Sequence, residues 1–154
     1  MTSVTGNTDF YGRTVADLAE NARRIAEFLD TLGPDVPIPT HIEPGHGQHG
    51  TVSWLLFSDT DLDRQRAVAA AVVRGVGGKW EKNPGDLFAF DRVLPSGLEL
   101  DVTVKRPAVC ERVVTGTREV VKTVPAPDAP TVQVTEVVED VEWVCGPLLA
   151  EATR

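Results

Sequence analysis

VCERVVTGTREVVKTV (Val109–Val124) and TVQVTEVVEDVEWVC (Thr131–Cys145) are two valine-rich runs of similar length, separated by Pro125-Ala126-Pro127-Asp128-Ala129-Pro130. Valine and threonine, branched at Cβ, fit a pleated surface, so both runs read as strands. Proline offers no ladder N–H, so the segment between them must be the loop. Together they predict a long β-hairpin. Folding it about the middle of its loop sets Cys110 opposite Cys145. The same register carried to the tip would set Glu119 opposite Glu136, a like-charge pair that costs stability. A one-residue slip toward the tip, pairing Arg118 with Glu136, avoids it, and Gly116 is placed to host the bulge joining the two registers.

At ~3.3 Å per residue, such an arm spans roughly 50 Å. The preceding ~100 residues would fold to a body with a radius of gyration of only about 13 Å. Val113 and Val114, Val120 and Val121, and Val137 and Val138 are adjacent pairs. Neighbours on a strand point to opposite faces, so the ribbon is apolar on both. Two wet apolar faces require cover, and an isolated two-stranded hairpin is marginal in water. Either the ribbon extends the sheet of its own domain, or a second copy or a protein partner covers it. The second reading makes Val113, Val120, Val121, Val134, Val137 and Val141 the contact surface and the protein a homo-oligomer or a partner-binding module.

The chain upstream reads as an α+β domain, two helices packed on a small, mainly antiparallel sheet, with the long hairpin following it. Residues 1–13 are polar and read as a flexible lead, 14–106 as the domain, 107–149 as the arm and 150–154 as a tail. Thr14 and Asp17 have the spacing of a helix start. Val15, Leu18, Ala22, Ile25, Leu29 and Leu32 recur at helical intervals up to the stop at Gly33-Pro34, predicting a helix over Val15–Leu32. Asp35–Gly50, rich in proline and glycine, reads as a loop. TVSWLLF (Thr51–Phe57) reads as a central strand, and Ser58-Asp59-Thr60-Asp61 caps a helix over Leu62–Arg74. Three strands follow: Lys79–Lys82, Leu87–Leu94 and Leu98–Lys105. In the last, LELDVTVK alternates apolar and polar residues, the period of a strand with one wet face.

Three histidines and a carboxylate fall within His41-Ile42-Glu43-Pro44-Gly45-His46-Gly47-Gln48-His49. Zinc takes three or four N, O or S ligands, so His41, His46, His49 and Glu43 form the candidate metal set, against a plain solvated loop. Their spacing matches no established zinc site, and no cofactor is otherwise expected. Cys110 and Cys145 admit three readings: reduced and partly buried thiols, a disulfide, or metal ligands. The opening MTSVTGNTDF lacks the basic start and apolar stretch of a secretory leader, which sets a cytoplasmic expectation and favours the thiols. No nucleophile elbow, Walker loop, dinucleotide fingerprint or zincin helix is present in the sequence, so no nucleophile–base pair can be drawn. The longest apolar run, near Val68–Val73, falls far short of the ~18 residues of a membrane helix. A formal charge of −8 argues against nucleic acid and anionic lipid as partners.

Cys110-Glu111-Arg112-Val113-Val114-Thr115-Gly116-Thr117 and Val141-Glu142-Trp143-Val144-Cys145 carry a resemblance. Over about residues 109–149 the chain resembles the C-terminal segment of small uncharacterised proteins of Streptomyces-type actinobacteria and their phages. That group carries no assigned activity, so the resemblance implies a phage or actinobacterial setting and no site residues. Arginine outnumbers lysine 11 to 4, in keeping with a GC-rich coding genome. The functional expectation is a non-enzymatic assembly or interaction protein acting through its hairpin. The alternatives are a small-ligand or metal-binding protein using the His41–His49 loop, and a phage counter-defence protein that sequesters a host factor.

Overall fold

The computed structural model describes residues 8–128 and 130–145. Residues 1–7 of the expected lead and all of 146–154, the expected tail included, lie outside the described residues. Contacts divide the chain into two compact units that meet in sequence between Val109 and Cys110. The first is the α+β domain and the second is the hairpin.

The first unit opens with α1 (Val15–Thr31). Its start is a local device. The Thr14 hydroxyl accepts from the Asp17 N–H at 3.2 Å, and the Asp17 carboxylate accepts from the Thr14 N–H at 2.8 Å. The buried stripe of α1 is rotated from the one the spacing suggests. Asn21, Ile25 and Phe28 are buried, whereas Val15 is 71% exposed. Asn21 explains the rotation. Its amide donates to the carbonyls of Pro44 and Gln48, tying the helix to the 44–50 segment, where Gly50 lies against Ile25. The lead just before α1 is also anchored. Arg13, 7% exposed, donates to Asp9 and to the carbonyls of Gly45 and Gly47.

The sheet comprises β1 (His41–Glu43), β2 (Thr51–Leu55), β3 (Glu81–Asn83), β4 (Leu87–Val93) and β5 (Glu99–Lys105), in the order β1-β2-β5-β4-β3. The β2–β5 pairing is parallel and the other three are antiparallel. Strand β1 corrects the reading of Asp35–Gly50 as loop throughout: three residues of it pair with the edge of β2. Between β2 and β3 runs α2 (Leu62–Val76), capped by Asp61 and ended at Gly77, whose φ of 74° suits glycine. A one-turn helix, α3 (Arg106–Val109), follows β5 without the signal of a longer helix.

The core lies on one parity of the strands. Val52 and Trp54 of β2, Phe88 and Phe90 of β4, and Leu100, Val102 and Val104 of β5 are all essentially inaccessible. Ala69, Ala70, Val72 and Val73 of α2 are buried too, and small side chains let a helix approach a sheet closely. Gln65 fastens α2 to its surroundings. Its amide Nε2 donates to Asp59 O at 2.6 Å, and its Oε1 accepts from the Lys105 N–H at 2.9 Å. Trp54 and Trp80, both buried, donate their indole N–H to the carbonyls of Pro37 and Gly77, so neither tryptophan buries an unmet donor.

The second unit is β6 (Glu111–Val124) paired antiparallel with β7 (Val132–Val144). At its base Glu111 faces Val144 and Val114 faces Val141, the register expected from folding the arms about their loop. The register then shifts between Val114 and Gly116. The bulge is where the sequence suggested, but the shift runs the other way. Arg118 faces Val138, and Glu136 faces Val120. Either direction separates Glu119 from Glu136. In the observed one Glu119 meets Val137, and the cations reach carboxylates diagonally instead. The extra residue is Thr115, whose hydroxyl donates to the Asp140 carbonyl at 3.3 Å.

Candidate functional site

Two surfaces carry side chains available for function, one on each unit. On the ribbon, the bulge sorts the side chains. Strand residues alternate between faces, so the odd-numbered residues of β7 share a face with Arg112, Val114, Thr117, Glu119, Val121 and Thr123 of β6. That face presents Val114, Val121, Val137 and Val141, together with Trp143. The other presents Val113, Val120, Val132, Val134 and Val144. Of these valines Val121 and Val137 are the most accessible, at 61% and 65%. The six valines singled out in the sequence therefore divide evenly: Val121, Val137 and Val141 on one face, Val113, Val120 and Val134 on the other.

The three cations of the ribbon are each matched within it. Arg112 pairs with Glu139 at 2.9 Å, Arg118 with Asp140 at 3.3 Å, and Lys122 with Glu136. These pairs are half exposed, so each contributes little to stability. They pair the cations but leave carboxylates in excess on the ribbon, at Glu111, Glu119 and Glu142.

At the base of the ribbon Cys110 and Cys145 are joined by a disulfide, with a Cα–Cα distance of 4.1 Å. This corrects the preference for free thiols. That preference came from an expected compartment, whereas the register brings the two Cβ atoms within bonding reach.

The proposed metal residues do not converge. His41 stands on β1 with its Nδ1 2.9 Å from Thr40 Oγ1, Glu43 is exposed two residues on, and the His49 ring lies against Gly97. His46 places its Nδ1 3.0 Å from Thr51 Oγ1. Among the described residues no three of His, Cys, Asp and Glu gather closely enough to hold a metal ion.

His46 instead borders a site that the sequence reading passed over. The strand parity opposite the core carries Thr51 and Ser53 on β2, Glu99, Asp101 and Thr103 on β5, and Asp91 on β4. Register sets them in rows: Ser53 faces Asp101, and Asp101 faces Asp91 on the next strand. These strands form a cleft of about 320 Å³ lined by His46, Thr51, Ser53, Asp91, Glu99 and Asp101 among others. Its walls are partly dry: Thr51 and Ser53 are 5% and 6% exposed. Burial raises the Asp101 carboxyl above its ordinary value and the facing Asp91 charge adds to this, while a 2.8 Å hydrogen bond from the Thr103 hydroxyl acts the other way. The signal for this site was present in the sequence, as the alternation of Thr51 and Ser53 with Val52 and Trp54. The apolar density of TVSWLLF hid it. No protein-family model matches the chain, and no curated protein or solved structure shows significant similarity to it.

Proposed function

We propose that this protein is an assembly element whose β6–β7 ribbon joins copies of the chain. One observation carries the reading: valines stand exposed on both faces of a two-stranded ribbon. Such a ribbon also has two edges, each with a row of unpaired backbone groups. A free hairpin of this kind is marginal in water, so cover on its faces or edges adds directly to its stability. A second copy returns the same apolar rows to this surface, and the ribbon's cations are already paired within it. Two like faces related by a two-fold axis would bring Val121 and Val137 against their counterparts, an isologous contact.

The reading retains its expected setting, a phage or actinobacterial cytoplasm, and assigns no enzymatic role. Sedimentation of the intact chain at micromolar concentration tests it, alongside the double variant Val121→Lys/Val137→Lys. Each lysine removes about 1.5 kcal/mol or more of apolar burial from an interface that uses that face. The expected result is an oligomer for the unaltered chain and a smaller species for the variant. A monomer in both samples refutes the proposal. An unchanged oligomer in the variant refutes the assignment to the Val121 face, and the same measurement on Val120→Lys/Val134→Lys then examines the opposite face.

A further inference from the structure

The cleft on the sheet combines features that a merely solvated face does not require. Asp91 and Asp101 face each other across β4 and β5, and Glu99 stands two residues from Asp101 on the same parity. Among the described residues none of these three carboxylates is in an ion pair. Asp101 accepts from Thr103, and Asp91 accepts from the Asn83 amide. Lys79 borders an adjoining depression with Glu81 and Asp91 and forms no salt bridge there among the described residues.

Ser53 supplies the independent observation. The residue is 94% buried by its 6% exposure, and its hydroxyl has no hydrogen-bond partner among the described residues. No fully enclosed side-chain oxygen or nitrogen among those residues lacks a partner, so the Ser53 hydroxyl must be the part of the residue that the cleft reaches. A nearly buried hydroxyl left open toward a cavity is a group awaiting a polar ligand.

The lining decides what kind of ligand. Three carboxylates outnumber the one lining guanidinium, Arg92, which donates to the Gly77 carbonyl, so the lining repels an anion. A metal ion needs ligands closer together than these stand. A nucleophilic role for Ser53 needs a base on its hydroxyl, whereas His41 and His46 direct their Nδ1 atoms to Thr40 and Thr51. An organic cation carrying several N–H donors suits the carboxylates and the open Ser53 hydroxyl. Its charge offsets the facing aspartates, and its donors reach Asp101, Asp91 and the Ser53 oxygen. Such heads are less strongly hydrated than metal ions and are suited to paired carboxylates. We infer that this cleft binds the guanidinium or ammonium head of a small organic cation or of an exposed basic side chain.

The test is a titration of the isotopically labelled intact chain with N-propylguanidine, followed by the backbone amide signals of Ser53, Asp91 and Asp101. N-propylurea, of the same shape without the charge, is the comparison. The inference expects saturable shifts at these amides, with affinity at least about tenfold weaker for the urea and for Asp101→Asn, the scale of losing one charge-assisted contact. Ser53→Ala, a smaller change, is expected to weaken binding severalfold and gives a second, independent variant. No saturable shift at millimolar ligand overturns the inference, as does equal affinity for the urea. Calcium or manganese alone saturating the same amides while propylguanidine does not also overturns it. A blocked arginine amide separates the two sources of the head: binding as tight as that of propylguanidine supports a protein side chain, and exclusion supports a small molecule.

Discussion

Breaking the Cys110–Cys145 bond is the perturbation with the clearest expected magnitude. The bond closes a stretch of chain with a sequence separation of 35 that contains the whole ribbon. It acts mainly on the open state, whose arms can no longer separate freely. For a loop of this length the chain-entropy treatment gives about 4 kcal/mol at 25 °C. That exceeds what a lone two-stranded ribbon has to spare, so the reduced ribbon is expected to open unless something covers it. The assay is backbone hydrogen exchange of the oxidised chain and of Cys110→Ser/Cys145→Ser, read on peptides from β6 and β7 and, as an internal reference, from β2 and β5. At high dilution, ribbon exchange should accelerate by nearly three orders of magnitude, or to the unprotected limit, while β2 and β5 keep their protection. If a second copy covers the ribbon, raising the protein concentration should restore part of the loss. Ribbon exchange that is unchanged by removing both sulfurs at high dilution would refute the reasoning, because the loop-closure contribution would then be absent. A free-thiol count on the purified, denatured chain belongs with this experiment. A cytoplasm keeps most thiols reduced, so the bond and the expected compartment pull in opposite directions.

Other expected outcomes follow from the first unit. Gln65→Leu removes the partners of the Lys105 N–H and the Asp59 carbonyl in a site that is 1% exposed, and should cost about 3 kcal/mol in urea unfolding. Thr14→Ala removes the capping hydroxyl of α1 and should cost about 1 kcal/mol, seen as a lower thermal midpoint. Asp101→Asn should stabilise the protein by roughly 0.2–1 kcal/mol at neutral pH, by ending a like-charge pairing across β4 and β5. Its pH dependence has a definite sign. The folded Asp101 carboxyl binds its proton more tightly than in the unfolded chain, so its contribution to stability falls as pH rises from the ordinary carboxylate value through the raised one. The gain from Asp101→Asn should therefore vanish in acid and reach its full size above that window. A gain that is constant across this range would show that charge at Asp101 is not its source.

What could be read from the sequence follows the range of the interactions. The start of α1 is settled by residues three apart, Thr14 and Asp17, and the reading and the structure coincide there. The ends of α2 are similarly local, in Asp61 and Gly77. The base of the ribbon was legible because two arms of matching length leave little choice of register. The direction of its slip was not. Moving either way separates Glu119 from Glu136, and the choice depends on diagonal contacts such as Arg112 to Glu139 that span the bulge. Strand β1 was invisible for a related reason. His41-Ile42-Glu43 has no pattern of its own among prolines and glycines, and becomes a strand only because β2 offers it an edge. The stripe of α1 was misjudged because counting apolar residues omits Asn21, which is buried by hydrogen bonds to a loop 23 and 27 residues away.

The cleft is the most instructive of these cases, because every strand that builds it shows the right period. The polar parity of β5 reads as a wet face, and alternation alone says no more than that. An ordinary wet face carries long charged side chains that shield the backbone and remain in water. Here the parity is Thr51 and Ser53 on one strand and Glu99, Asp101 and Thr103 on the next; all but the exposed Glu99 are short side chains that cannot reach out, and three of the five are buried. Short polar residues in alternation on two neighbouring strands are therefore a sharper signal than alternation itself. That signal becomes a site only through the parallel β2–β5 pairing, which sets Ser53 beside Asp101 at a separation of 48 residues, a contact that no local pattern contains.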